Sequence, residues 1–110
     1  IFPESAAQSS TFSLNGISYP AANAIDSSFG TLSVTEQGVG NWLSVRVPAS
    51  SEIGYVALYN RQDGQYADFL GTVDIWVGQS FGDTSSDALK CGSASYDAGQ
   101  SRNHISSTAV

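Results

Sequence analysis

The stretch 60–69, Asn-Arg-Gln-Asp-Gly-Gln-Tyr-Ala-Asp-Phe, gathers the polar and aromatic groups best suited to touch a ligand. Arg61 presents a planar fork of N–H donors, which matches vicinal hydroxyls. Asp63 and Asp68 stand close to it in sequence, so the alternative is an internal ion pair that holds the loop. Tyr66 and Phe69 carry rings that can stack on the apolar face of a sugar or dock a protein partner. Of the two, Tyr66 reads as exposed and Phe69 as a plug at the end of a sandwich. Loops between strands are where such folds place their binding chemistry.

Catalytic chemistry finds little footing. His104 is the single histidine, and no Ser or Cys sits in a recognisable nucleophile context near it. Glu36, Asp63, Asp68 and Asp74 supply carboxylates without the spacing of a paired acid and base. One Cys and one His do not make a zinc site. No phosphate-cradling glycine loop precedes a helix. These residues argue for a binding protein and against an enzyme.

The elements that must position that loop are strands. Over 42–48, Leu43, Val45 and Val47 alternate onto one face. Residues 53–59 are apolar at nearly every position. Over 71–78, Val73, Ile75 and Val77 alternate again and send Trp76 to the opposite side. Period-two alternation predicts a half-buried sheet, and a continuous apolar run predicts a strand covered on both faces. An outward Trp76 suggests a docking surface, with burial under a neighbouring loop as the plain alternative. Trp42 reads as core. Asn15-Gly16, flanked by Leu14 and Ile17, is the strongest hairpin signal in the chain, with a loop around an Asn-Gly turn as the equal alternative because Pro20 stops the second arm quickly.

Residues 21–26 are the one helix-like stretch, about one turn. Residues 27–40 read as a long loop with a short strand inside it. A weak strand is expected near 93–96, and 100–110 gives no clear element. With no long amphipathic helix, the class is all-β.

Composition narrows the function further. The chain has 110 residues, which suits one domain with a modest core. Its 10 Asp and Glu against 4 Lys and Arg leave a net charge of −6, which argues against nucleic acid and anionic membranes. Charged residues make up only 13%, and Ser, Thr, Gly and Asn replace them as surface groups. That style points to a secreted or lumenal compartment. No apolar run approaches the ~20 residues needed to span a bilayer. Met is absent, so the chain reads as a processed product or fragment starting at Ile1. Cys91 is the single cysteine: it is either a buried thiol or half of a disulfide with a partner elsewhere.

The order of short motifs is itself informative. Ala7-Gln8-Ser9-Ser10 is followed by Tyr19-Pro20-Ala21-Ala22-Asn23-Ala24-Ile25-Asp26. Then come Asn41-Trp42-Leu43-Ser44-Val45-Arg46-Val47, Ile53-Gly54-Tyr55-Val56-Ala57-Leu58-Tyr59-Asn60-Arg61 and Val73-Asp74-Ile75-Trp76-Val77-Gly78. This order, spanning residues 6–91, resembles the discoidin-like family (the F5/8 type C or galactose-binding-like domains) and in particular its fucolectin branch. The resemblance implies an eight-stranded jelly-roll β-sandwich over 1–110, a non-catalytic module binding sugars, lipids or proteins. It implies a structural calcium ion held by oxygens of Asn23, Asp26 and Ser28. In the family a glutamate on a final strand completes that site. No such strand is evident here, and the cysteine that would pair with Cys91 is also missing, so the closing strands read as absent.

The resemblance also implies that Arg61 hydrogen-bonds sugar hydroxyls. The family's second arginine falls at Phe69 or Asp68, and its histidine falls near Glu36. The expected ligand site is therefore Arg61, Tyr66, Glu36 and Asp68, for a glycan. The other expectation is an accessory subunit of a larger assembly that uses the same fold to hold protein neighbours.

Overall fold

Runs of β-branched and aromatic residues, broken every few positions by Gly, Pro, Asn or Ser, give short strands and turns. The structure, a computed structural model, describes residues 3–28, 30–61, 70–95 and 103–106. They form eight strands and one 3₁₀ turn, an all-β chain. Among the described residues no helix is long and apolar enough to cross a membrane. The chain divides into two compact units, Ile1–Ser51 with Ser80–Gly82, and Glu52–Gln79 with Asp83–Val110.

In the first unit, β1 (Ser5–Gln8) pairs antiparallel with β4 (Leu43–Arg46), Ser5 opposite Arg46 and Gln8 opposite Leu43. Backbone bonds from Glu4 N to Arg46 O (2.8 Å) and from Ser9 N to Trp42 O (3.0 Å) extend the ladder at both ends. The predicted hairpin is present: β2 (Ser13–Leu14) and β3 (Ile17–Ser18) pair around Asn15 and Gly16. Their φ angles of 53° and 79° are the two left-handed positions that a type I′ turn requires.

The open end of this hairpin is closed by Val34. Its carbonyl accepts from Phe12 N (2.9 Å), and its N–H donates to Tyr19 O (3.0 Å). Among the described residues of 27–40 no strand forms, and these two bonds take its place. The Phe12 and Tyr19 rings stack with centroids 6.1 Å apart. The Gln8 amide nitrogen has two protons for three acceptors, Thr11 Oγ1 and Tyr19 O at 3.0 Å and Val34 O at 3.3 Å, and so ties β1 to the hairpin.

One expectation about β4 needs correction. Leu43 and Val45 share a face as expected, but that face is exposed, at 42% and 39%. A two-stranded ribbon gives each side chain few flanking neighbours. Here those opposite are Gln8, whose amide is turned to the hairpin, and the small Ala6. Trp42 is half-buried and lies against Gly82, where an added Cβ would fall 2.5 Å from its ring.

In the second unit, β5 (Tyr55–Leu58) pairs antiparallel with β8 (Asn103–Ser106), a strand within 100–110, where no clear element is expected from the residues alone. Consecutive Val56, Ala57 and Leu58 are all half-buried, in keeping with an apolar run that has some cover on each face. β6 (Thr72–Val77) pairs antiparallel with β7 (Leu89–Ser95). Along β6 exposed and half-buried residues alternate strictly, with Val73, Ile75 and Val77 on the covered side. β7 begins earlier than the weak strand expected at 93–96, because β6 supplies a partner for its Ser and Gly positions.

The link between β6 and β7 is held by Asp83, whose carboxylate accepts from Gln79 N (3.4 Å) and Ser85 N (2.9 Å). Gly78 lets that carboxylate approach: a Cβ there would lie 2.9 Å from it.

Candidate functional site

The stretch 20–31 builds one oxygen-rich loop. Pro20 has an extended ψ of 163° and enters the 3₁₀ turn Ala21–Ile25, and Asn23 N donates back to Pro20 O (3.1 Å). Ala21 is the anchor, only 7% exposed. Asp26 ends the turn, and Ser27 takes a left-handed φ of 62° that reverses the chain. Asp26 Oδ1 then accepts from Ser28 N (2.9 Å), and Ser28 Oγ accepts from Gly30 N (3.0 Å).

The three residues expected to hold a cation are thus brought together, and Thr31 joins them. Its hydroxyl donates to Asp26 Oδ2 at 2.6 Å and lies 3.4 Å from Asn23 O and 3.5 Å from Ser28 O. A hydroxyl has one proton, and the charged, nearest acceptor takes it. The two carbonyls therefore approach the same oxygen with lone pairs towards it. The donor set is all oxygen with one carboxylate, which suits a hard cation such as calcium.

The oxygen that Asn23 brings to Thr31 is its backbone carbonyl, while its side-chain nitrogen donates to Leu32 O (2.9 Å). Calcium takes about 6–8 oxygens, so this loop supplies part of a shell. The described final strand, Asn103–Ser106, has no acidic residue. Among the described residues there is also no cluster of three or more His, Cys, Asp or Glu. Thr31 was not singled out from sequence: in a run of Ser, Thr and Gly no one hydroxyl stands out.

Glu36 is positioned by its backbone. Its N–H donates to Ser10 Oγ (2.9 Å) and its carbonyl accepts from Asn41 Nδ2 (2.9 Å). Asn41 Oδ1 accepts from both Ser9 and Ser10 hydroxyls, at 2.8 and 2.7 Å, and Ser9 Oγ accepts from Trp42 N. This network pins 36–41 to 9–10 and leaves Glu36 exposed.

Arg61 is half-buried at the end of the segment that follows β5. It belongs to the second unit and Glu36 to the first. Tyr66 and Asp68, with Asp63 and Phe69, lie outside the described residues. No family model, curated protein or solved structure matches this chain.

Proposed function

We propose that this chain is a non-catalytic glycan-binding module with a jelly-roll core, recognising sugar hydroxyls through Arg61 and the loop that follows it, with Tyr66 and Asp68 as further contacts. The observation that carries the reading is the oxygen cluster of Asn23, Asp26, Ser28 and Thr31. It lies where the motif order resembling discoidin-like domains calls for a structural calcium ion. Bound there, calcium would supply the positive charge that ties the 3₁₀ turn to the loop after it. The sugar would be held by hydrogen bonds from the Arg61 fork and by aromatic stacking on Tyr66.

The test is calorimetric titration with galactose, fucose and mannose, with and without calcium. Millimolar binding that Arg61→Ala removes is expected. Calcium should raise the melting temperature by mass action, and Asp26→Asn should abolish that rise. No sugar binding in either condition would end the glycan reading, and binding unchanged in Arg61→Ala would remove Arg61 from it.

The second reading, an accessory subunit that holds protein neighbours, is favoured by a separate observation. Among the described residues Ala21 is the one buried apolar side chain. A partner's surface would cover the half-exposed strands. A monomeric chain that unfolds cooperatively on its own would remove most of that support.

A further inference from the structure

The exposed face of the β6–β7 ribbon carries its own set of groups. Strand alternation puts Thr72, Asp74 and Trp76 on the exposed side of β6. The register sets Thr72 opposite Ser95, Asp74 opposite Ser93 and Trp76 opposite Lys90. All six residues are exposed, Trp76 at 38%. The register shifts between Ile75 and Trp76, so that Ile75 faces Gly92 and Trp76 faces Lys90, with Cys91 as the extra residue.

That bulge decides which side chain joins the face. In an unbroken strand, outward positions would run Ser95, Ser93, Cys91, Leu89. The extra residue brings Lys90 to this face instead, and bulges commonly re-aim a side chain next to a binding site.

The resulting strip is polar, ordered and neutral. Thr72 and Ser95 share a hydroxyl–hydroxyl bond of 2.8 Å. Ser93 Oγ donates to Asp74 Oδ1 at 2.6 Å, and Lys90 Nζ lies 3.5 Å from the same oxygen. The Ser93 hydrogen bond, with the Lys90 charge behind it, holds the Asp74 carboxyl below the ordinary range, against a smaller desolvation effect. It therefore stays an acceptor at neutral pH. One carboxylate and one ammonium cancel within the strip, while the whole chain carries −6.

We propose that this face is a second binding site, for a neutral oligosaccharide that stacks on the Trp76 indole and exchanges hydrogen bonds with Asp74, Lys90, Ser93 and Thr72. The chemistry selects the occupant. A neutral polyhydroxylated chain brings both donors and acceptors to a strip that offers both, and it meets no net charge. A charged ligand would gain no net attraction from a strip whose two charges cancel. From Thr72 to Trp76 the strip is ~13 Å long at ~3.3 Å per strand residue, which suits a short chain better than a single sugar. The site uses none of the residues assigned to the Arg61 loop or to the calcium loop, so it stands or falls apart from them.

The test uses the whole chain and cellotetraose, mannotetraose and galactotetraose as probes, followed by calorimetry and by tryptophan fluorescence. At least one probe is expected to bind and to shift the Trp emission. Trp76→Ala should weaken binding about tenfold, the loss of one stacked ring. Trp76→Phe, which keeps a ring and guards against loss of fold, should stay within a few-fold. Asp74→Asn should weaken binding severalfold while the circular dichroism spectrum is unchanged. Loss in Trp76→Ala while Arg61→Ala still binds assigns the ligand to the ribbon. Loss in Arg61→Ala with full binding in Trp76→Ala assigns it to the loop and overturns the ribbon site. No binding of any of the three probes overturns it as well.

Discussion

At the residue scale, the contact between Trp42 and Gly82 is among the least forgiving in the first unit. Gly82 has a φ of 72°, and an added Cβ would lie 2.5 and 2.6 Å from Trp42 Cε2 and Cζ2. Those atoms belong to a rigid ring whose main chain is fixed by hydrogen bonds to Ser9, so neither side can give cheaply. We expect Gly82→Ala to cost about 1–3 kcal/mol through overpacking, with a further share from the left-handed backbone. Urea denaturation followed by Trp fluorescence measures it. A midpoint equal to that of the parent chain would show that the ring moves aside freely. Sequence marked Trp42 as an interior residue, and the structure makes it half-buried. What sequence did not offer was its glycine partner forty residues on, because close approach of a ring to a glycine leaves no local signature. Thr31 was hidden for a similar reason: its role depends on where Asn23 O and Ser28 O point, and single-sequence reading has no access to backbone carbonyl directions.

At the element scale, legibility tracks how local the cause is. The β2–β3 hairpin was readable because Asn15-Gly16 is itself the reason for the turn. Alternation along β6 was readable because period two is built into the strand. The face of β4 was misread, since burial depends on what lies opposite, and Gln8 and Ala6 cover little. β8 and the early start of β7 were missed because their Ser, Gly, Asn and Lys residues have weak strand preference, and a partner strand supplies what propensity does not. The hairpin gives a clean measurement. A Cβ on Gly16 would meet nothing within 4 Å, so Gly16→Ala tests the backbone alone. Its φ of 79° should make the substitution cost about 1–2 kcal/mol, seen as a lower thermal midpoint. Gly16→Asn, which tolerates that region better, should recover part of the loss. Equal midpoints for the Ala and Asn variants would mean that the hairpin is already frayed in the parent.

At the scale of the whole molecule, two properties oppose each other. Leu43, Val45, Trp76 and Leu89 are each around two-fifths exposed, an apolar surface that favours association. The net charge of −6 at pH 7 keeps copies apart, and it vanishes near the pI of about 4.2. Association is therefore expected to rise as the pH approaches that value. The question is whether the chain is still folded there. Asp74 and Asp83 bear on it. Hydrogen bonds from Ser93, then the Lys90 charge, lower the first; hydrogen bonds from the Ser85 hydroxyl and N–H, then Gln79 N, lower the second. A carboxyl depressed by folding stabilises the folded state above its unfolded value, about 3.9 for Asp. That contribution is lost progressively as the pH falls from the unfolded value through the lower, folded one. At the pI of about 4.2, above that unfolded value, both carboxylates still favour the folded state. Light scattering should rise near pH 4.2 while the near-ultraviolet circular dichroism stays at its neutral-pH level, and the dichroism should fall only at more acidic pH. Asp83→Asn removes one of these groups and should weaken the acid dependence of unfolding while leaving the scattering maximum close to its place. If dichroism and scattering change together, the aggregate is made of unfolded chains, and the exposed apolar residues of the folded molecule are not what drives association.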